Sequence, residues 1–363
     1  MPVVLPETPV ESRTEPVSVS IVTHRGASLD AWVASLSEGE LIPEHAGASP
    51  LWLQVLREAL GHETYLLEAR GEGRYLGRLP LALVSSALFG RYLVSLPYIN
   101  TAGLHGATRQ AETMLIDQAV ALAEQLNVRN LELRHERQVD HEDLSETRSD
   151  KVLMRLALPA TEEQLWNGFK SKLRSQIRSG EKHGFAVNWG GEGLLEDFYS
   201  AFSRNMRDLG TPVFPKRLFA SVLSRFGSAA ELCVLRLEQA PVAAALLIHG
   251  NGVTEVPSAS SLRKYNNTNA NMVMYWQLLK RAVERGQHTF DFGRSTLDSN
   301  TYKFKKQWGA EPSPSVWQYY VRRGTIGDMR PESAKFRLAI RAWQRLPLPI
   351  ANWLGPMIVR GIP

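Results

Sequence analysis

The hydrophobic pattern changes period many times along the chain, and each change predicts an element. Val17-Ser18-Val19-Ser20-Ile21-Val22 alternates apolar and polar positions, which predicts a strand after a loose lead-in over residues 1–16, where four prolines sit among polar residues. Leu29–Leu36 and Pro50–Leu60 carry apolar residues at helical spacing, the second with Gly61 as its stop. Thr64–Ala69 and Leu76–Ser85 read as strands around Gly71-Glu72-Gly73, and Tyr92–Leu96 as another. The long amphipathic helix Ala111–Leu126 leads to a strand at Asn130–Arg134.

A polar stretch, Gln138–Asp150, then interrupts the pattern as a linker. Beyond it the order recurs: strand Val152–Leu158, helix Thr161–Lys182, strand Phe185–Trp189, and helices at 194–209 and 216–226. Strands follow at 231–237, 242–249 and 253–260, then helix Asn271–Arg285 and strand Thr289–Phe292. The repeated order predicts one α/β fold duplicated, each copy a mixed sheet with helices on its faces. The domains expected are 17–150 and 151–325, with a tail over 326–363.

In that tail Phe336, Ile340 and Trp343 share a helix face beside Arg337, Arg341 and Arg345, and Trp353, Leu354 and Ile358 form an apolar tip. Two readings stand: a basic amphipathic segment (331–363) in contact with a membrane interface, or a tail helix docked on its own domain.

Composition narrows the classes. Hydrophobic residues make up 44% of the chain, enough for real cores. Lys and Arg exceed Asp and Glu by 42 − 37 = 5, a mild basicity compatible with phosphate-bearing ligands, tRNA or an anionic membrane face. The single cysteine, Cys233, rules out a disulfide framework and a Cys-rich metal site, and the scattered histidines lack zinc spacing, so no metal is expected. Without a signal-like or spanning apolar run, the expected location is cytoplasmic, with peripheral contact on the inner face of the cytoplasmic membrane as the extension.

Several short matches lead nowhere. Asp291-Phe292-Gly293 copies a kinase triplet without the other kinase signatures. Gly71-x-Gly73 precedes Gly77 by one residue too many for a dinucleotide loop. His135-x4-Asp140 has the spacing of an acyltransferase pair but falls in charged sequence. Lys170, Lys172, Arg174, Arg178 and Lys182 make a basic helix face: either a solvated surface or a landing site for phosphate or nucleic acid.

The stretch 258–319 is the most informative. A polar loop, Tyr265-Asn266-Asn267-Thr268-Asn269, opens a helix whose free amides attract a carbonyl or phosphate. The strand 289–292 delivers Asp291, Gly293 and Arg294, and the two charges either pair with each other or meet substrate. Thr301–Pro312 reads as alternating sequence, with Tyr302, Phe304 and Lys306 on one side and Lys303 and Lys305 on the other, and Trp308 follows. Lysines interleaved with aromatics in this way predict a pocket.

These residues carry a resemblance. Phe290-Asp291-Phe292-Gly293-Arg294-Ser295, Tyr302-Lys303-Phe304-Lys305 and Trp308-Gly309-Ala310-Glu311-Pro312 resemble the FemABX peptidyltransferases, most of all the FemAB-related proteins found with PEP-CTERM/exosortase and exopolysaccharide loci. The resemblance covers most of 18–322 and implies two tandem GNAT-like domains. It implies N-acyl or aminoacyl transfer from an activated donor (aminoacyl-tRNA, acyl-CoA or acyl carrier protein) to an amine of an envelope glycan or peptidoglycan-type precursor, with no bound cofactor. The lysine matching Lys305 then stabilises the oxyanion beside Phe304. Tyr302, Asp291, Arg294, Tyr265, Asn266, Asn267, Asn269 and Trp308 are the residues expected to bind substrate. The Arg/Gln-x-x-Gly-x-Gly/Ala loop of acyl-CoA enzymes is missing. The alternative is a non-enzymatic, membrane-docked glycan-binding component of a polysaccharide assembly system.

Overall fold

The computed structural model describes residues 18–86, 90–326 and 334–362. The expected lead-in over 1–16 lies outside them. The first half comprises β1 (Val19–Arg25), α1 (Ala27–Ala34), α2 (Glu38–Leu41), α3 (Leu51–Leu60), β2 (Glu63–Gly71), β3 (Arg74–Ser86), β4 (Gly90–Val94), β5 (His105–Gly106), α4 (Arg109–Gln125) and β6 (Asn130–His135). The second comprises β7 (Glu146–Ala157), α5 (Glu162–Gly168), α6 (Ser171–Glu181), β8 (Ala186–Gly190), α7 (Leu195–Leu209), α8 (Lys216–Phe226), β9 (Ala230–Leu237), β10 (Ala240–His249), β11 (Val253–Ser261), α9 (Ala270–Glu284), β12 (Thr289–Thr296), α10 (Asn300–Gln307) and β13 (Glu311–Val321). Helices α11 (Ala334–Gln344) and α12 (Leu348–Val359) close the chain.

Local chemistry sets many boundaries as expected. Gly61 and Gly210 take left-handed conformations at φ 70° and 80° and end α3 and α7, while Thr108 Oγ1 accepts the Ala111 N–H to start α4. The apolar run of β10 is buried over nearly its whole length and forms a central strand. The single helix expected over Thr161–Lys182 is instead two. Phe169 adopts an extended ψ of 143° and is buried edge-on against Trp276 and Trp308, so tertiary packing overrides helix propensity there.

The two mixed sheets are fused. Strands run β1-β2-β3-β4-β6-β13-β7-β12-β11-β10-β9-β8, with β5 beside β3. The join is made by β13, a strand absent from the sequence reading, which pairs antiparallel with β6 of the first half and β7 of the second. Strand β7 begins at Glu146, inside the stretch expected to be linker. One core lies between the halves: Trp32, Leu53 and Val55 of the first pack with Phe198, Phe219 and Val222 of the second. Separate cores fill the opposite faces, under α4 in the first half and under α5, α6 and α9 in the second.

The tail docks on its own fold. Ala351, Gly355 and Val359 of α12 are buried, and a Cβ at Gly355 would come within 2.7 Å of Val213 backbone. Gln344 Nε2 donates to Asp208 O, and Arg207 Nη1 to Leu346 O, each at 3.1 Å. The other face of α12 stays apolar and open, with Trp353 69% and Met357 52% exposed. Residues 331–333 lie outside the described residues, and Phe336 and Arg337 outside the described side chains. No helix among the described residues is long and apolar enough to cross a membrane.

Candidate active site

Strands β11 and β12 run parallel for three residue pairs, ending at Glu255 opposite Asp291. Beyond that point β11 continues to Ser261 on β10 and β12 to Thr296 on β7 without pairing with each other, so the sheet opens into a gap. The gap is accentuated by a bulge between Asp291 and Arg294, where β12 slips against β7. Gly293 sits in that bulge at φ 74°, and a Cβ there would lie 2.8 Å from Asn100 Nδ2 of the first half.

Lys305 reaches the gap from a helix. The alternation expected over 301–312 is not a strand: Ser299 Oγ accepts the Tyr302 N–H, and α10 follows. Tyr302, Phe304 and Lys306 therefore do not share a strand face. Lys305 is only 8% exposed, and its Nζ donates to Gly293 O (3.0 Å) and Arg294 O (3.1 Å). Burial pushes its pKa down to about 8, with the Asp291 charge opposing. An ammonium has three donors, so one N–H remains for a ligand. Phe304 makes edge contacts with Tyr275 (5.0 Å between centroids) and Trp308 (6.3 Å), anchoring α10 in the core while part of its ring stays accessible. Trp308, expected to bind substrate, is 1% exposed and belongs to that core.

Asp291 and Arg294 do not pair with each other. Asp291 accepts from Arg155 Nε (3.0 Å) and from the Gly293 N–H (2.6 Å), and Arg155 holds Glu136 through both Nη atoms at 2.6 Å each. Arg294 instead stacks on Trp317, Cζ lying 3.6 Å from the ring centroid. Its pKa is pushed down to about 10 by burial and then by Arg134.

Glu255 was not singled out by the sequence. It lies where the strands part and accepts the Gly47 N–H at 3.1 Å. Burial, then the neighbouring Asp291 charge, raise its pKa to about 7. No local feature of the sequence marks it, because its proton affinity depends on neighbours brought in from other strands.

The loop after β11 leaves the same end of the gap as α10, because the two strands are parallel. Asn269 takes a left-handed φ of 55° at the start of α9 and caps it without a side-chain bond. Asn266 and Asn267 are exposed, and Tyr265 packs partly against the second core with Lys264 Nζ 4.6 Å from its ring centroid. On the other side of β11, Pro257, Ser258, Ala259 and Ser260 line a cavity of about 250 Å³ completed by Trp52, Phe202, Phe219 and neighbouring apolar residues. Asn205 Nδ2 donates to Ser260 Oγ at 3.2 Å on its wall. No charged side chain lines it.

The other sequence candidates are placed elsewhere. His135 is buried, with Nδ1 accepting the Leu104 N–H at 3.4 Å, and Asp140 pairs with Arg109 rather than with it. Burial lowers the His135 pKa to about 4. Cys233 is a buried core residue whose thiol is raised by burial. Among the described residues Asp117, His141 and Asp143 come close enough to share an ion, on the first half and apart from the gap.

Comparison with known proteins agrees with this architecture. Residues 167–306 match a family model described as an acetyltransferase (GNAT) domain. No curated protein matches the chain. Among solved structures, FemX is 16% identical over 80% of this chain and 94% of its own, with a TM-score of 0.57. A tandem GNAT protein from the clavulanic acid biosynthesis pathway is 11% identical over 84% of this chain and 100% of its own, with a TM-score of 0.51. A conserved protein of unknown function from Bacteroides thetaiotaomicron is 7% identical over 80% and 96%, with a TM-score of 0.52. At such identities the likeness concerns the fold: two GNAT-like halves in tandem, the second carrying the stretch that matches the acetyltransferase model.

Proposed function

We propose that the protein is an N-acyltransferase whose reaction takes place in the gap between β11 and β12. The observation that carries this reading is a buried ammonium, Lys305 Nζ, fixed on the Gly293 and Arg294 carbonyls of β12, the strand whose Asp291 lies opposite Glu255, a carboxyl raised towards neutrality. The acceptor's amine nitrogen attacks the donor's acyl carbonyl. As that carbon becomes tetrahedral, the remaining Lys305 N–H meets the oxygen, where charge develops. Glu255 takes the proton that the amine loses on forming the C–N bond. The donor's C–O or C–S bond then breaks, and the proton passes to the leaving oxygen or sulfur. The apolar cavity beside β11 receives the acyl group.

The donor classes are aminoacyl-tRNA, acyl-CoA and acyl carrier protein. The acceptor is an amine of an envelope glycan or peptidoglycan-type precursor, in keeping with the resemblance to FemAB-related proteins. Tyr265, Asn266, Asn267 and Asn269 sit where a donor's polar portion would leave the gap. The apolar outer face of α12, flanked by Arg345 and Arg360, supports peripheral contact with the inner face of the cytoplasmic membrane.

The test is to incubate the protein with labelled aminoacyl-tRNA, acyl-CoA or acyl carrier protein and an extract of envelope glycans. Label should move to an amine, and Lys305→Ala should slow the movement by roughly 10²–10³. Transfer unchanged in both Lys305→Ala and Phe304→Ala would refute the site. A second reading, a non-enzymatic glycan-binding component docked on a membrane, draws on the same α12 face. It requires glycan binding without label transfer, lost on deletion of 331–363 and unaffected at Lys305.

A further inference from the structure

On the same side of the sheet as Asp291, beside the gap, positive charge accumulates in excess of the acids that face it, Glu132 and Asp150. Cross-strand partners share a face, so the registers Arg294↔Leu153↔Ser313, Thr296↔Lys151↔Ser315 and Arg148↔Trp317↔Arg134 place Arg294, Lys151, Arg148, Arg134 and Trp317 together. Arg134 is satisfied: Nε donates to Glu132 Oε1 (2.7 Å) and Nη1 to Ile99 O (2.8 Å), with Cζ 4.1 Å from the Trp317 centroid. That engages Glu132. Arg148 Nη2 donates to Ile326 O at 2.7 Å and, among the described residues, has no carboxylate partner.

Arg294 and Lys151 remain. Among the described residues neither side chain makes a hydrogen bond or an ion pair, and both are partly buried. Burial, then the Arg294 charge, disfavour the charged form of Lys151, and burial, then the Arg134 charge, disfavour that of Arg294, with Asp150 opposing in both cases. Partly desolvated cations that no carboxylate touches are unfavourable, and an anionic ligand would relieve that cost. Neutral donors are also waiting. Ser315 is 3% exposed, and its Oγ, like Ser313 Oγ and Trp317 Nε1, is buried with no partner. Trp317 and Arg148 border an adjacent cavity of about 170 Å³ into which a larger ligand extends. Two features then fix the type of group. The guanidinium of Arg294 is held flat on an indole with its donor edge free, which suits a planar or tetrahedral oxyanion. Its own backbone carbonyl holds Lys305 Nζ, so an anion bound there lies one residue from the reaction centre.

We propose that Arg294 and Lys151, on the Trp317 floor, form a binding site for an oxyanion, a phosphate or carboxylate group carried by one of the substrates. The site deepens the acyl-transfer reading by assigning one substrate an acidic group close to its reacting atom. Its binding test needs no turnover, so the two ideas fail separately.

The experiment is calorimetric titration of the full chain with inorganic pyrophosphate and, separately, with citrate, repeated with Arg294→Gln, Arg294→Lys, Lys151→Gln and the tail control Arg341→Gln. Wild type and the control should bind at least one probe, and the preferred probe tells phosphate from carboxylate. Arg294→Gln should weaken binding about tenfold or more, Lys151→Gln by several-fold, and Arg294→Lys by an intermediate factor, the loss expected for one charge-assisted contact each. Should Arg294→Gln prove unfolded, Lys151→Gln decides the matter, since Lys151 holds no structural contact. Equal affinity in wild type and both Gln variants, or no binding by wild type up to about 10 mM, overturns the site.

Discussion

Glu255→Gln should make the protein more stable in mild alkali while abolishing transfer, a combination that a structural carboxylate would not give. In the fold, Glu255 holds its proton up to about pH 7, against an ordinary value of 4.5. Its favourable contribution is therefore whole below about pH 4.5 and is lost as the pH rises through 7, because the charged form is tolerated less well in the fold than in water. At about 1.4 kcal/mol per tenfold, the gap from 4.5 to 7 amounts to about 3.5 kcal/mol at most. Glutamine stays neutral and keeps an acceptor for the Gly47 N–H, so it escapes that loss. Thermal unfolding of wild type and variant should nearly coincide at pH 4 and separate by roughly 3–5 °C at pH 8, the variant higher. Asp291 contributes to the rise, so Asp291→Asn should shrink the separation. A difference of the same size at both pH values would refute the reasoning, because only a titrating group makes it grow.

Lys305→Ala should lower turnover by roughly 10²–10³, the loss typical of one oxyanion donor, and wild-type transfer should fall as the pH passes about 8, where the ammonium loses its proton. A pH–rate profile flat from 7 to 10 sinks that role. Trp353→Ser with Met357→Ser should release the protein from anionic vesicles in a sedimentation assay, each buried apolar side chain being worth about 1.5–3 kcal/mol, without changing its unfolding temperature. Gly355→Leu should instead undock α12, since its side chain would meet Val213 backbone, and lower the unfolding temperature. Glu231→Gln should cost roughly 2–4 kcal/mol in urea unfolding: Glu231 accepts from His249 Nε2 (2.9 Å) and Arg281 Nε (2.8 Å), which hold its pKa near 2 despite burial.

Much of this fold was legible because its determinants are local. The period of apolar residues located β9 to β11 and α7 to α9 within a residue or two and the start of β12, though not its end, and Gly61 and Gly210 ended helices as left-handed caps. What was not legible depends on long-range contacts. The break at Phe169 answers to Trp276 and Trp308, more than 100 residues away in sequence. Residues 301–307 alternate like a strand, yet Ser299 caps them as a helix, and one turn later Lys305 points inward instead of lying beside Lys303. The sequence identified Lys305 through its family resemblance, but not its two carbonyl partners. Neither Glu255 nor the Arg155 that claims Asp291 had a local signature. A carboxylate's neighbours on other strands set its proton affinity, and those neighbours follow from register.

Register also explains why two halves are needed for one gap. The parting of β11 and β12 belongs to the second half, but its walls do not. The N–H that Glu255 accepts comes from Gly47, the side chain that forces a glycine at 293 is Asn100, and the carboxylate that anchors Arg155 is Glu136. All three lie in or just after the first half, and β13 draws them in by zipping β6 to β7. A lone second half would leave Glu255 facing water, where its carboxyl would ionise in the ordinary acid range and lose its value as a base near neutrality. The first half thus acts on the chemistry without supplying a group that reacts: it excludes solvent from one carboxyl and sets the shape of one bulge. Such a division of labour accounts for a core shared between α3 and α8, since any hinge there would open the gap to water and restore the carboxyl's ordinary acidity.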